Sequence, residues 1–157
     1  MCPKDNYPTS FIDQFIDAYA NHEALSFMDG FSRYNQIQIR HTDQYKTTFT
    51  TPWGTFSYQV MPFGLKNVST TFQQAMNYIF HDLLHLILAY LDDLTVHSKK
   101  SANHLEDLFL VFHRCRQYNL RLNILKCVLC VNVRRLLGFI VSHKGIRVNP
   151  LKVQAIK

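Results

Sequence analysis

Two aspartates, Asp92 and Asp93, stand side by side between short apolar, β-prone runs in ILAYLDDLTVHS. A third, Asp29, ends another apolar run, LSFMD. Carboxylates brought together repel one another, and one takes up a proton unless a cation intervenes. A hard divalent ion removes the conflict: Mg²⁺ prefers carboxylate oxygen, keeps some water and completes its shell with substrate phosphates. Two such ions stabilise the attacking and leaving oxygens of an in-line phosphoryl displacement. Metal-assisted phosphoryl transfer is therefore the chemistry these residues nominate, provided the fold joins places about sixty residues apart in the chain. An Asp-Asp pair is also ordinary turn chemistry, because Asp tolerates turn dihedrals and favours water.

The elements that must position them follow from periodicity. TSFIDQFIDAYANHEALS has a cap candidate, Thr9 or Ser10, and apolar residues at Phe11, Ile12, Phe15, Ile16 and Tyr19, which is helical spacing. Leu25 to Asp29 reads as a buried strand, YNQIQIR alternates, and KTTFTTPWGTFSYQVM reads as a β-hairpin punctuated by Pro52-Trp53-Gly54. Pro62-Phe63-Gly64 marks a turn. A helix follows, with a Ser69 or Thr70 cap and Phe72, Ala75, Met76, Ile79 and Phe80 on its buried face. The aspartate hairpin comes next. A second helix is capped by Ser101 and carries the stripe Leu105, Leu108, Phe109 and Phe112. LRLN is expected as a strand, and CVLCV with RLLGFIVSHKG as a closing hairpin turned at Lys144-Gly145. Without the small β insertion, the order is an α+β split βαββαβ: two helices cover one face of an antiparallel sheet and the other face stays open. In that topology Asp29 lies beside the hairpin tip that holds Asp92 and Asp93.

The 157 residues suffice for one domain with a core, and 47% hydrophobic with 13% aromatic residues excludes a disordered chain. No apolar run reaches membrane-spanning length. The polar start MCPKDNYP is no secretory signal, and nothing directs the chain to an organelle, so the cytoplasm is a default only. The formal charge of +6 points to a polyanionic partner, nucleic acid being the usual one. Cys127 and Cys130 form a CxxC, but no second ligand pair follows in zinc spacing, so these, Cys2 and Cys115 read as thiols in a reducing compartment.

YLDD resembles the signature box of reverse transcriptases. FMDGFSRYNQIQI, TTFTTPWGTFSYQVMPFGLKN, TFQQAMNYIF, HLEDLFLVF, LRLNILKC and LLGFIVSHKGIRVNPLKVQAI follow in the order of gypsy-type LTR retrotransposon polymerases, particularly plant ones. The resemblance implies an RNA- and DNA-directed DNA polymerase palm working with two Mg²⁺ ions, for which Mn²⁺ can substitute, on an RNA or DNA template-primer and dNTPs, without a membrane. It implies that Asp29, Asp92 and Asp93 bind metal and that Tyr34 lies under the incoming sugar. Phe31 and Ser32 would offer backbone N–H groups to the triphosphate, with Phe63 and Gln73 beside the nucleotide. Lys126 is a candidate proton donor to pyrophosphate, and Leu137-Gly138 matches the primer grip.

By the same resemblance, residues 1–157 correspond to the palm with part of the fingers, without the upstream fingers, thumb and RNase H regions. The chain departs from the pattern at Arg33, Ser69, Thr70, Ile124 and Cys130, where glycine, glycine, alanine, proline and glycine are usual. A side chain at Arg33 costs about 1 kcal/mol if its φ is positive. Such changes keep a second expectation in view, a catalytically inactive remnant that at most binds nucleic acid.

Overall fold

The computed structural model describes residues 3–7, 22–90, 93–136, 139–142 and 145–148. The helix expected after Thr9 or Ser10, Asp92, Leu137-Gly138 and the turn residue Lys144 lie outside them.

Strand β1 (Ala24–Asp29) is buried at all six positions, as expected for an apolar run with neighbours on both edges. It pairs antiparallel with β5 (Asp93–Ser98) on one side and with β6 (Val128–Val131) on the other. Strand β4 (Ile87–Tyr90) completes the sheet, in the order β4-β5-β1-β6. With helix α1 (Val68–Ile79) between β1 and β4, and α2 (His104–Gln117) between β5 and β6, this is the expected split βαββαβ. The insertion forms the hairpin β2 (Phe49–Thr51) and β3 (Gly54–Phe56). The turn after Pro62 uses Gly64 at φ 89, a left-handed conformation that suits glycine.

The fourth strand is not LRLN. Leu122 makes a single bridge to Gly30, and β6 takes the outer place beside β1 instead. CVLCV therefore does not pair with the later segment: β7 (Val133–Leu136), β8 (Phe139–Ser142) and β9 (Gly145–Val148) form a sheet of their own. The start of YNQIQIR belongs to the 3₁₀ turn Arg33–Gln36, and Ile37 to Ile39 pairs with Gln59 to Met61.

One core joins the helices to the sheet. Phe72, Met76, Ile79 and Phe80 of α1 pack with Ile87, Leu94 and Val96 of the hairpin, as the periodicity requires. Helix α1 begins at Val68, with Asn67 at its cap position. The Asn67 side chain accepts from the Asp5 amide at 3.1 Å and donates to Pro3 O at 2.9 Å, so it ties down the N-terminal segment rather than closing the helix.

Helix α2 departs from the expected stripe. Its buried residues are His104, Leu108, Val111 and Cys115, while Leu105 and Phe109 are 71% and 69% exposed. The reason is His104. Its Nε2 lies 2.7 Å from Ser26 Oγ and its Nδ1 2.7 Å from Ser98 Oγ. The Ser98 hydroxyl donates to the Asp107 carboxylate, and Ser26 Oγ accepts from the Cys130 amide at 2.9 Å. One polarity satisfies every bond: Ser98 accepts from Nδ1–H, and Ser26 donates to Nε2. The imidazole is then neutral, in keeping with a pKa that burial lowers below 6.5. A polar residue so bonded enters the core at a modest cost, and its position sets the rotation of the helix. Ser101 is not the cap either. It belongs to a 3₁₀ turn before α2, and its amide donates to Glu23 Oε2 at 2.9 Å.

The same chain explains the irregularity of β6. The register with β1 shifts between Leu25 and Phe27, and Cys130 in the facing segment takes φ 55. The position where glycine was expected thus holds a left-handed cysteine, which strains an L side chain by about 1–2 kcal/mol. At Arg33 the expected strain falls elsewhere: the left-handed residue is Ser32, at φ 53, immediately before the turn that Arg33 opens.

Candidate active site

Asp29 is the last residue of β1 and Asp93 the first of β5, and they are register partners. Directly opposed residues of an antiparallel pair point to the same face, with Cβ atoms about 4.5–5.5 Å apart. The fold therefore brings these two carboxylates together. Asp29 is 8% exposed and Asp93 is exposed. Asp93 also pairs with Tyr90, so it begins a strand rather than sitting in the turn.

Their face of the sheet is less open than the topology implied. Leu25, Phe27, Thr95 and His97, which share it by alternation, are all buried. Solvent reaches this face at the Asp93 end.

There a cleft of about 370 Å³ is lined by Asp29, Gly30, Phe31, Ser32, Phe63, Asn123 and Lys126. It gathers five of the residues nominated from sequence: Asp29, Phe31, Ser32, Phe63 and Lys126. Lys126 Nζ lies 3.3 Å from Asp29 Oδ2, with most of its side chain exposed. The segment before Lys126 fixes the end of β1: Asn123 donates its amide to Asp29 O at 2.8 Å, and Phe31 donates its own to Arg121 O at 2.8 Å. The Phe31 amide is thus engaged within the protein.

Tyr34 is buried behind the cleft rather than lining it. Its ring meets Phe63 at 5.2 Å and Phe72 at 5.3 Å, both edge-on, and its hydroxyl lies 3.4 Å from Ser69 Oγ. Phe63, 62% exposed, and Phe31 are the aromatic surfaces the cleft presents. Gln73 turns inward as well: its amide donates to Ala89 O at 2.8 Å and to Asn77 Oδ1 at 3.2 Å.

Besides Gly30, which also lines the cleft, two residues were missed from sequence. Asn123 lines the cleft, and Gln36 locks the loop: its amide donates to Phe31 O at 2.6 Å and Arg121 O at 3.0 Å, and its oxygen accepts from the Arg121 amide at 2.6 Å. Gln36 read as the polar half of an alternating strand, so no local signal marked it.

The fit to a divalent ion rests on the donor set. Two carboxylates held opposite one another repel, and hard oxygen donors of this kind suit Mg²⁺. Among the described residues no group of three or more His, Cys, Asp or Glu stands together.

The family described as reverse transcriptase (RNA-dependent DNA polymerase) matches residues 3–141, and the chain belongs to that family. It is 36% identical over 153 residues to the retrovirus-related Pol polyprotein from transposon 297 of Drosophila melanogaster, covering 97% of this chain and 14% of that protein. It is 29% identical over 140 residues to the transposon Tf2-3 polyprotein of Schizosaccharomyces pombe, covering 88% of this chain and 10% of that one. The chain thus spans a small part of these relatives, and the likeness is to transposon Pol polyproteins of fly and yeast rather than to plant elements in particular. Among solved structures, the fold is similar to a foamy viral protease-reverse transcriptase in complex with double-stranded DNA, with TM-score 0.86 and 19% identity over 99% of this chain and 28% of that one. Among the described residues no helix is long and apolar enough to cross a membrane.

Proposed function

We propose that the chain is the palm, with part of the fingers, of a polymerase that adds deoxynucleotides to a primer 3′-hydroxyl on an RNA or DNA template. The observation that carries this reading is the cross-strand pairing of Asp29 with Asp93 beside the cleft. Asp29 and Asp93, with Asp92, would hold a pair of Mg²⁺ or Mn²⁺ ions, which when bound supply charge neutralisation at the reacting phosphate. The protein contributes positioning. The antiparallel register fixes Asp29 against Asp93. Gln36 and Asn123 hold the loop that follows β1, so that Ser32 presents its amide to the triphosphate. Phe63, backed by Tyr34, offers the apolar wall against which the sugar rests. Lys126 shares the Asp29 carboxylate until substrate arrives and then places its ammonium for the charge, and the proton, of departing pyrophosphate.

Primer extension on poly(rA)/oligo(dT) with Mg²⁺ or Mn²⁺ tests the reading, with Asp92→Asn as control. Extension that disappears in the control supports it. Absence of extension alongside salt-sensitive duplex binding establishes a second reading, a palm that binds nucleic acid without turnover. That reading draws on Gln73, which is bonded into the core and withdrawn from the cleft.

A further inference from the structure

At the opposite end of β1 and β5 from the aspartates, a second cleft of about 460 Å³ opens where Ala24 pairs with Ser98. Its lining includes His22, His85, His97, Lys99 and Lys100, drawn from three separate places in the chain. The His22 and His97 rings meet edge-on at 4.5 Å. Among the described residues, the lining sets one carboxylate against these five basic groups, Asp107, which accepts from the Ser98 hydroxyl. Glu23, beside His22 in sequence, is bonded to the Ser101 amide. We propose that this cleft is a binding site for phosphate oxyanions, separate from the site at Asp29 and Asp93.

Three features support it. The first is charge: Lys99 and Lys100 are exposed at the rim, and lysine side chains are compact point charges that suit phosphate. The second is donor chemistry, since imidazole N–H groups and ammonium groups donate to phosphate oxygens, and such charge-assisted bonds are the strong ones. The third is burial together with repulsion among like groups. Burial and the neighbouring His22 push the pKa of His97 down to about 4, with His85 and His104 adding to the effect and Asp107 opposing it. An oxyanion in the cleft acts in the opposite sense, as Asp107 does, and favours the protonated ring. The helix α2 N-terminus faces the same cleft through Asn103, and its dipole has the matching sign.

Five residue steps of β1 separate the two ends, about 17 Å at the rise of a strand. An oxyanion here is therefore not the phosphate undergoing reaction. Both free pyrophosphate and the phosphodiesters of a bound strand have the required chemistry.

Histidine side-chain ¹H–¹⁵N spectra of the full 157-residue chain at pH 6.5, with EDTA present, provide the test. EDTA silences metal-dependent phosphate binding at the aspartate end. Inorganic pyrophosphate is titrated in one arm and a single-stranded oligonucleotide without terminal phosphate in the other. The expected result is saturable movement of the His22, His85 and His97 ring signals, weakened at least tenfold in a Lys99→Ala/Lys100→Ala variant and unchanged in Asp29→Asn. Response to pyrophosphate identifies a free-phosphate site, and response to the oligonucleotide alone identifies a backbone site. No ring movement in either arm, or equal affinity in the double-lysine variant, overturns the proposal. Because Asp29→Asn removes the chemistry but not this site, failure of one reading is distinguishable from failure of the other.

Discussion

Strand β5 places Asp93 at one end and His97 at the other, on the same face, four residues apart. At the first end two acidic side chains face each other across strands, with a lysine close by. At the second, basic groups collect around a cleft. The acidic end concentrates its charge where solvent can enter. The basic end buries part of its charge and suppresses it, by pushing one histidine toward neutrality. One sheet can hold both because the strand separates them by more than the ~8 Å screening length at physiological ionic strength.

The sharpest break between the two ends is chemical. Asp29→Asn or Asp93→Asn is expected to lower the primer-extension rate by about 10²–10³-fold, the scale of losing a few kcal/mol of transition-state charge stabilisation. Histidine signals at the other end should not move. Equal extension by mutant and parent would remove the acidic end from the chemistry.

Next in size is His104→Ala. It strips partners from two buried hydroxyls, Ser26 and Ser98, at about 1–3 kcal/mol each. Urea unfolding should show a lower midpoint with an unchanged slope, and most of the loss should recur in Ser26→Ala if the chain of bonds acts as a unit.

The pH dependence comes third. His97 has a folded pKa of about 4, below the unfolded value of 6.5, so the unfolded chain binds the proton more readily. Its stabilising contribution is complete above pH 6.5 and is lost as pH falls from there through 4. At pH 5 the loss is about 2 kcal/mol relative to pH 7, measured by urea unfolding at each pH. His97→Phe should flatten this window, and saturating pyrophosphate should narrow it if the basic cleft binds oxyanions.

Smallest is Cys130→Gly. Relief of the left-handed φ should stabilise the chain by about 0.5–1 kcal/mol, whereas Cys130→Ala should leave the strain in place. A thermal midpoint unchanged by the glycine would show that the irregularity in β6 is not strained.

The periodic signals were legible because they are local. The face of α1 defined by Phe72, Met76, Ile79 and Phe80 is the face the structure buries, and the apolar run Leu25 to Met28 is a central strand. The rotation of α2 was not legible, because it depends on His104 meeting two serines 78 and 6 residues away in the chain. Nor was the fourth strand: LRLN has the better alternation, yet its amides and carbonyls serve the loop after β1, while CVLCV takes the sheet edge. The bonds of Gln73 and Gln36 were not legible for the same reason. A long amide side chain bonds wherever the fold leaves a backbone group within reach, and composition does not reveal where that is.

By itself, the sequence determined helices α1 and α2, the split βαββαβ order and the acid that ends β1. Those follow from residue-level preferences and periods of the chain. Tertiary structure alone decided that Asp29 and Asp93 are register partners, that Lys126 reaches Asp29, that Tyr34 backs Phe63 rather than lining the cleft, and that three histidines share a second cleft. These are contacts between residues distant in sequence, fixed by strand register and helix rotation, and no local pattern encodes them.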